Sequence, residues 1–216
     1  MKKIGLLSAL FIFSLSFSIA QPAAQDPKAK SILDGVSAKI KTYTSMQVEF
    51  SQSMVNTKDK INENQQGKIQ LKGDKYHLTL ASQTVISDGK TTWTYLKDVN
   101  EVNVDNASKD EEAINPTSIF TIWEKGFKYK YIKEEIQNGV PVHIIDLTPI
   151  KGKSFFKVRL IIDKNKQQLT SASIHEKNGT IYTYKIIKFT PNISINESIF
   201  TFNKASYPGV QVIDMR

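Results

Sequence analysis

From Met46 onward, apolar side chains recur at every second position. Met46, Val48 and Phe50 alternate with Gln47, Glu49 and Ser51. A period of two sends successive side chains to opposite faces of a sheet. Ile69 with Leu71, then Tyr76, Leu78 and Leu80, then Trp93 with Tyr95, then Val102 with Val104 continue the pattern. Residues 129–132, 142–147, 155–163, 169–175, 180–189 and 199–202 carry it through the second half. Asn138-Gly139 and Asn178-Gly179 are hairpin pairs that tolerate positive φ, and residues 163–166 serve the same end. The pattern predicts about ten or eleven strands in up-and-down order. No long helical segment separates consecutive strands, which argues against a parallel βαβ sheet.

Two segments break the alternation. Between Asp26 and Tyr43, the residues Ala29, Ile32, Leu33, Val36 and Ile40 recur at three- and four-residue spacing, which predicts a helix begun by Asp26-Pro27. Gly35 weakens it by about 1 kcal/mol. Further on, Asn115-Pro116 opens a short apolar run through Ile119, Phe120, Ile122 and Trp123, which Gly126 stops. Positions 119, 120 and 123 share one helical face. A sheet needs cover on its apolar face, and these two helices are the candidates. An adhesive β protein with no such cover fits the pattern less well.

The start of the chain reads as an export signal. Lys2 and Lys3 precede an uncharged run from Ile4 to Ala20, and Ser18-Ile19-Ala20 is a small-x-small site for cleavage after Ala20. A membrane anchor is the competing reading, and the polar stretch from Gln21 opposes it. No cysteine follows the run, so a lipid-anchored form is not expected. The expectation is a signal peptide at 1–20 and one domain at 21–216, exported to the periplasm. Without Lys2 and Lys3 the 29 basic residues become 27, against 21 acidic, so the net charge drops from +8 to +6. That balance suits an anionic membrane surface or acidic partner without requiring nucleic acid.

Catalytic signatures are absent. His77, His143 and His175 lie far apart, each in a predicted strand, with no metal-ligand spacing. There is no nucleophile elbow, phosphate loop or paired-carboxylate arrangement, and cysteine is missing altogether. An enzyme acting on lipid or glycan is thus disfavoured, and neither metal nor cofactor is expected. Asp88-Gly89 reads as a hairpin turn.

Four stretches in order resemble the LolA family, periplasmic carriers of outer-membrane lipoproteins. They are Val48-Glu49-Phe50-Ser51-Gln52, the Ser87-Asp88-Gly89-Lys90 turn leading to Trp93 and Tyr95, Asp146-Leu147-Thr148-Pro149, and Phe200-Thr201-Phe202 with Pro208-Gly209-Val210-Gln211-Val212. The resemblance implies an open antiparallel half-barrel, covered by an N-terminal helix and short lid helices over an apolar, acyl-binding cavity. It further implies a monomer, an acylated lipoprotein cargo, an inner-membrane ABC-type lipoprotein-releasing complex as donor, and an outer-membrane acceptor. A domain that carries or senses another envelope lipid is the alternative. The expected cavity residues are Phe50, Leu78, Trp93 and Tyr95 from the sheet and Ile119, Phe120 and Trp123 from the lid. The best-known members carry Lys-Arg-Pro where this chain has Lys72-Gly73-Asp74, and their arginine pins the lid. Its absence implies a lid held mainly by apolar contacts.

Overall fold

A computed structural model describes residues 25–107 and 120–216. The export segment, the Asn115-Pro116 helix start and Ile119 lie outside the described residues. Helix α1 (Pro27–Ile40) is followed by β1 (Met46–Asn56), β2 (Ile61–Lys72), β3 (Lys75–Leu80), β4 (Gln83–Ser87), β5 (Thr91–Leu96) and β6 (Glu101–Asn106). Then come β7 (Phe127–Gln137), β8 (Val140–Pro149), β9 (Phe155–Asp163), β10 (Gln168–Glu176), β11 (Ile181–Pro191) and β12 (Gln211–Asp214). They form one open sheet in the order β12-β6-β5-β4-β3-β2-β1-β11-β10-β9-β8-β7. Two meanders are thus joined where β1 pairs antiparallel with β11.

The strand count differs from expectation at three places. β4 escapes the pattern because its five residues include only Val85 and Ile86 as aliphatic side chains. β12 closes the chain by pairing parallel to β6, so the sheet is not wholly antiparallel. Residues 199–202, expected as a strand, enter instead from a one-turn 3-10 helix at Glu197–Phe200, whose start the Asn196 side chain caps by accepting from the Ser198 N–H. Phe200 is there an anchor turned into a core, so the F-x-F spacing mimics strand alternation. The lid helix is represented among the described residues only by the 3-10 turn Ile122–Glu124.

The helix starts where the sheet ends. β7 is an edge strand, and edge N–H and C=O groups invite pairing with another chain. Gln25 occupies two of them: its side-chain NH₂ donates to Phe127 O and its carbonyl oxygen accepts from Tyr129 N–H, both at 3.0 Å. One Asp26 oxygen accepts from Tyr131 N–H at 2.9 Å, and the other caps α1 by accepting from Lys28 and Ala29 N–H. These donors, Ala29 and Tyr131 foremost, hold the Asp26 carboxyl below the usual range. A single residue therefore fixes both the helix start and its origin on the edge strand.

Cross-strand register separates the two faces. Thr94, Val85, Leu78, Ile69, Val48 and Phe189 stand opposite one another on one face of β5, β4, β3, β2, β1 and β11. This is the concave face, because Val48 and Ile69 share one core with Ala29, Leu33 and Val36 of α1. Leu160, Ile145 and Leu147 extend that core under the helix. The neighbouring ladder, Trp93, Ile86, His77, Gln70 and Gln47, belongs to the back. There Ile86, Val102, Val104, Phe200 and Val210 are buried apart from the main core. The C-terminal segment covers this area: Glu197–Phe200 packs on β3 and β4, and the Tyr207 ring lies 4.5 Å from that of Tyr95.

Candidate functional site: an apolar cavity under the lid

A cavity of about 530 Å³ lies on the concave face. Val48, Phe50, Ile69, Leu78 and Leu80 supply one wall from β1–β3, and Leu169, Ala172, Ile174, Tyr184 and Ile186 supply the other from β10 and β11. Phe155 and Phe120 complete it, with Phe120 set edge-on to Phe189 at 6.4 Å. Besides the phenols of Tyr182 and Tyr184, the polar lining is Gln52, Gln65, Gln83, Ser154 and Glu176. All five lie toward one end of the sheet, where β1, β3, β5, β8 and β10 terminate, and the polar lining marks this end as the mouth. The mouth's amides are mutually engaged: Gln65 donates to Gln52 Oε1 at 2.9 Å, and Gln52 donates to the Tyr184 hydroxyl at 3.3 Å. Burial pushes the Tyr184 phenol up, so it stays neutral. The interior thus presents aliphatic and aromatic surface without a charge.

One glycine shapes the floor. Gly67 pairs with Phe50 on one side and Leu80 on the other. A Cβ at this position would come within 2.5 Å of Phe50 Cζ and 2.7 Å of Leu80 Cδ2. The missing side chain lets both lie down over β2 and leaves the space above them open.

The described part of the lid is tied to α1. Trp123 is buried and its indole N–H donates to Ser37 Oγ at 2.9 Å. Lys41 forms an ion pair with Glu124 at 2.8 Å, which together with Ser37 lowers the Glu124 carboxyl. The lid is therefore held by a polar contact and an ion pair in addition to apolar packing. At Lys72-Gly73-Asp74, Gly73 has φ +58° in the tight β2–β3 turn, with nothing within 4 Å of an added Cβ. The flanking Lys72 and Lys75 both reach Glu197 of the C-terminal segment on the back face.

Of the expected cavity residues, Phe50, Leu78 and Phe120 line the space. Trp93 and Tyr95 do not: the register places them on the opposite face, where Tyr95 packs on Tyr207. Their strand has two half-buried faces, so alternation alone cannot tell front from back. Trp123 is a core anchor beside the cavity and is absent from its lining. The walls from β10 and β11 were missed; the alternation that marks those strands carries no sign of which face is hollow. The Ser87-Asp88-Gly89-Lys90 motif is a closed turn, in which Asp88 Oδ1 accepts from Lys90 and Thr91 N–H. The three histidines are half-buried and each is pushed down by burial. Among the described residues no three His, Asp or Glu side chains are grouped to hold a metal.

A family model described as outer membrane lipoprotein carrier protein LolA matches residues 18–180. The chain belongs to the LolA family. The outer-membrane lipoprotein carrier proteins of Francisella tularensis subsp. tularensis and subsp. novicida are each 23% identical to it, over 98% of this chain and 87% of their own length. A crystal structure of an uncharacterized conserved protein from Thermus thermophilus covers 87% of this chain and 99% of its own, with a TM-score of 0.59 and 12% identity. That last likeness concerns the fold. LolA proteins are carriers and not enzymes, and membership gives the chain a lipid- or lipoprotein-binding role in the cell envelope.

Proposed function

We propose that this LolA-family protein is a periplasmic carrier, freed from its export signal after Ala20, that encloses lipoprotein acyl chain in its cavity. It takes cargo from an inner-membrane ABC-type lipoprotein-releasing complex and gives it to an outer-membrane acceptor. The observation that carries this reading is a 530 Å³ apolar space whose polar groups are confined to the mouth. Its volume lies within the roughly 300–1,000 Å³ of sites that bury most of a small ligand. Each exposed CH₂ costs about 0.8 kcal/mol in water, so a chain of about 16 carbons is worth on the order of 12 kcal/mol. Such a cargo does not cross an aqueous space unaided. The same magnitude requires the carrier to bind less tightly than its destination. A lid that opens meets that requirement, its described part fastened by Trp123 and Glu124 to Ser37 and Lys41 and by the packing of Phe120 and Trp123.

The test is release of an acylated lipoprotein from inner-membrane vesicles that hold the releasing complex, followed by mass spectrometry of the carrier's bound lipid. The wild-type protein is expected to release and retain the acylated protein. Phe120→Glu places a charge in the cavity wall and is expected to lower acyl binding more than tenfold. A Phe120→Glu protein that loses several kcal/mol of stability yet binds acyl chain normally would make this residue core and not lid.

A second reading has its own support. Gly73 stands open in a hairpin turn, without the arginine that pins the lid in the best-known members. In this reading the cavity carries or senses another envelope lipid. Free phospholipid in the extract of the purified protein, with no acylated protein, would decide for it.

A further inference from the structure

The turns around the cavity mouth have a composition that neither the cavity nor the fold requires. Lys58, Lys60, Lys97, Lys125, Lys151 and Lys177 are all exposed there, at the ends of β1, β5, β8 and β10 and before β7. Carboxylates stand at the same end, Asp59 and Asp98 within the turns and Glu101, Glu124 and Glu176 beside them. None of the six lysines takes part in a salt bridge among the described residues, a property they share with Lys185 and Lys188 on β11. Lys97 donates to the Leu80 and Ala81 carbonyls. Beside the lysines stand exposed aliphatic side chains. Val99 at the tip of the β5–β6 turn is 64% exposed and Ile150 after β8 is 58% exposed.

We propose that this mouth end docks on an anionic phospholipid bilayer, holding the cavity opening against the membrane surface. The inference rests on the carrier reading and adds where the carrier meets lipid. Three separate features agree on the occupant. Exposed lysines on several separate turns, none in a salt bridge among the described residues, match a surface of spread negative charge. Val99 and Ile150 can enter the headgroup layer while lysine stems lie along it and keep their ammonium groups in water. The mouth they surround admits a ligand whose origin or destination is that same bilayer. A carrier held there meets a membrane-embedded donor or acceptor with its opening already at the lipid surface.

The test is co-sedimentation of the exported, purified protein with vesicles of phosphatidylcholine alone or of phosphatidylcholine with phosphatidylglycerol. Binding is expected to the second only, and to weaken as salt rises. A basic side chain at an anionic surface contributes roughly fivefold in affinity, so Lys58→Glu, Lys151→Glu and Lys177→Glu together are expected to reduce it by more than about 100-fold. Lys185→Glu with Lys188→Glu, on β11 away from the mouth, leaves binding unchanged. Val99→Asp with Ile150→Asp weakens it too, and guards against misreading a folding defect in the lysine variant. Equal binding to both vesicles, or no effect of the mouth variants, would overturn the proposal. So would failure to bind either vesicle, including the case in which the same face captures an acidic protein. Uptake of a fluorescent fatty acid by the free protein is measured in parallel. Loss of uptake with vesicle binding intact would count against the carrier reading and leave the docking surface standing.

Discussion

Replacing Gly67 by alanine should change what the cavity holds more than it changes stability. The new methyl carbon would sit 2.5 Å from Phe50 Cζ and 2.7 Å from Leu80 Cδ2. Carbon atoms prefer about 3.5–4.0 Å, so both side chains must retreat by roughly 1 Å. In a close-packed core such crowding costs about 1–3 kcal/mol. Here the atoms in the way are the ends of side chains that line a 530 Å³ space, so they have room to swing into it. Removal of a glycine from a strand interior also returns about 0.5–1 kcal/mol of backbone entropy. The two terms nearly offset, and unfolding free energy from denaturant titration should shift by less than about 1 kcal/mol. The displaced groups occupy space that acyl carbons would use. Losing contact for about two CH₂ groups, at about 0.8 kcal/mol each, weakens binding at least tenfold. Displacement of a fluorescent fatty acid measures this directly. A stability loss above about 3 kcal/mol with unchanged affinity would refute the reasoning, because it would mean that Phe50 and Leu80 have nowhere to go.

Two further outcomes follow from the back of the sheet. Tyr95→Ala removes the ring 4.5 Å from Tyr207 and should cost at least the roughly 0.5–1.5 kcal/mol of an aromatic pair, without altering acyl affinity. A loss of affinity would place Tyr95 at the cavity after all. Lys72, then Lys75, hold the Glu197 carboxyl down at about 2, from an ordinary value of 4.5. A depressed carboxylate stabilises the fold above its unfolded value, and that contribution fades as pH falls from about 4.5 toward 2. Thermal unfolding of wild type against Glu197→Gln should therefore converge across that window; curves that stay parallel down to pH 2 would exclude the ion pair as the cause.

The kinds of element and much of their order are local properties of the chain. Alternation from Met46 onward is a local property of each strand, and Asp26-Pro27 carries its own cap chemistry, so both survive without knowledge of the rest of the chain. The family motifs were legible for a related reason: Asp88-Gly89 is a self-contained turn whose hydrogen bonds close within four residues. Facing was not legible. Leu78 and Trp93 sit in similar alternating segments, yet one lines the cavity and the other lies behind it, because register across β3, β4 and β5 sets their sides. Strands with apolar groups on both faces lose the polar marker that would have told them apart, and this sheet is covered twice, by α1 in front and the C-terminal segment behind. Whether apolar residues pack shut or enclose space is likewise a tertiary outcome. Phe50, Gly67 and Leu80 belong to three different strands, and only their meeting across β1, β2 and β3 leaves the floor of the cavity open. The mouth's charge belongs to the same class: its lysines are scattered from Lys58 to Lys177 and become one surface because antiparallel strands return their turns to the same end.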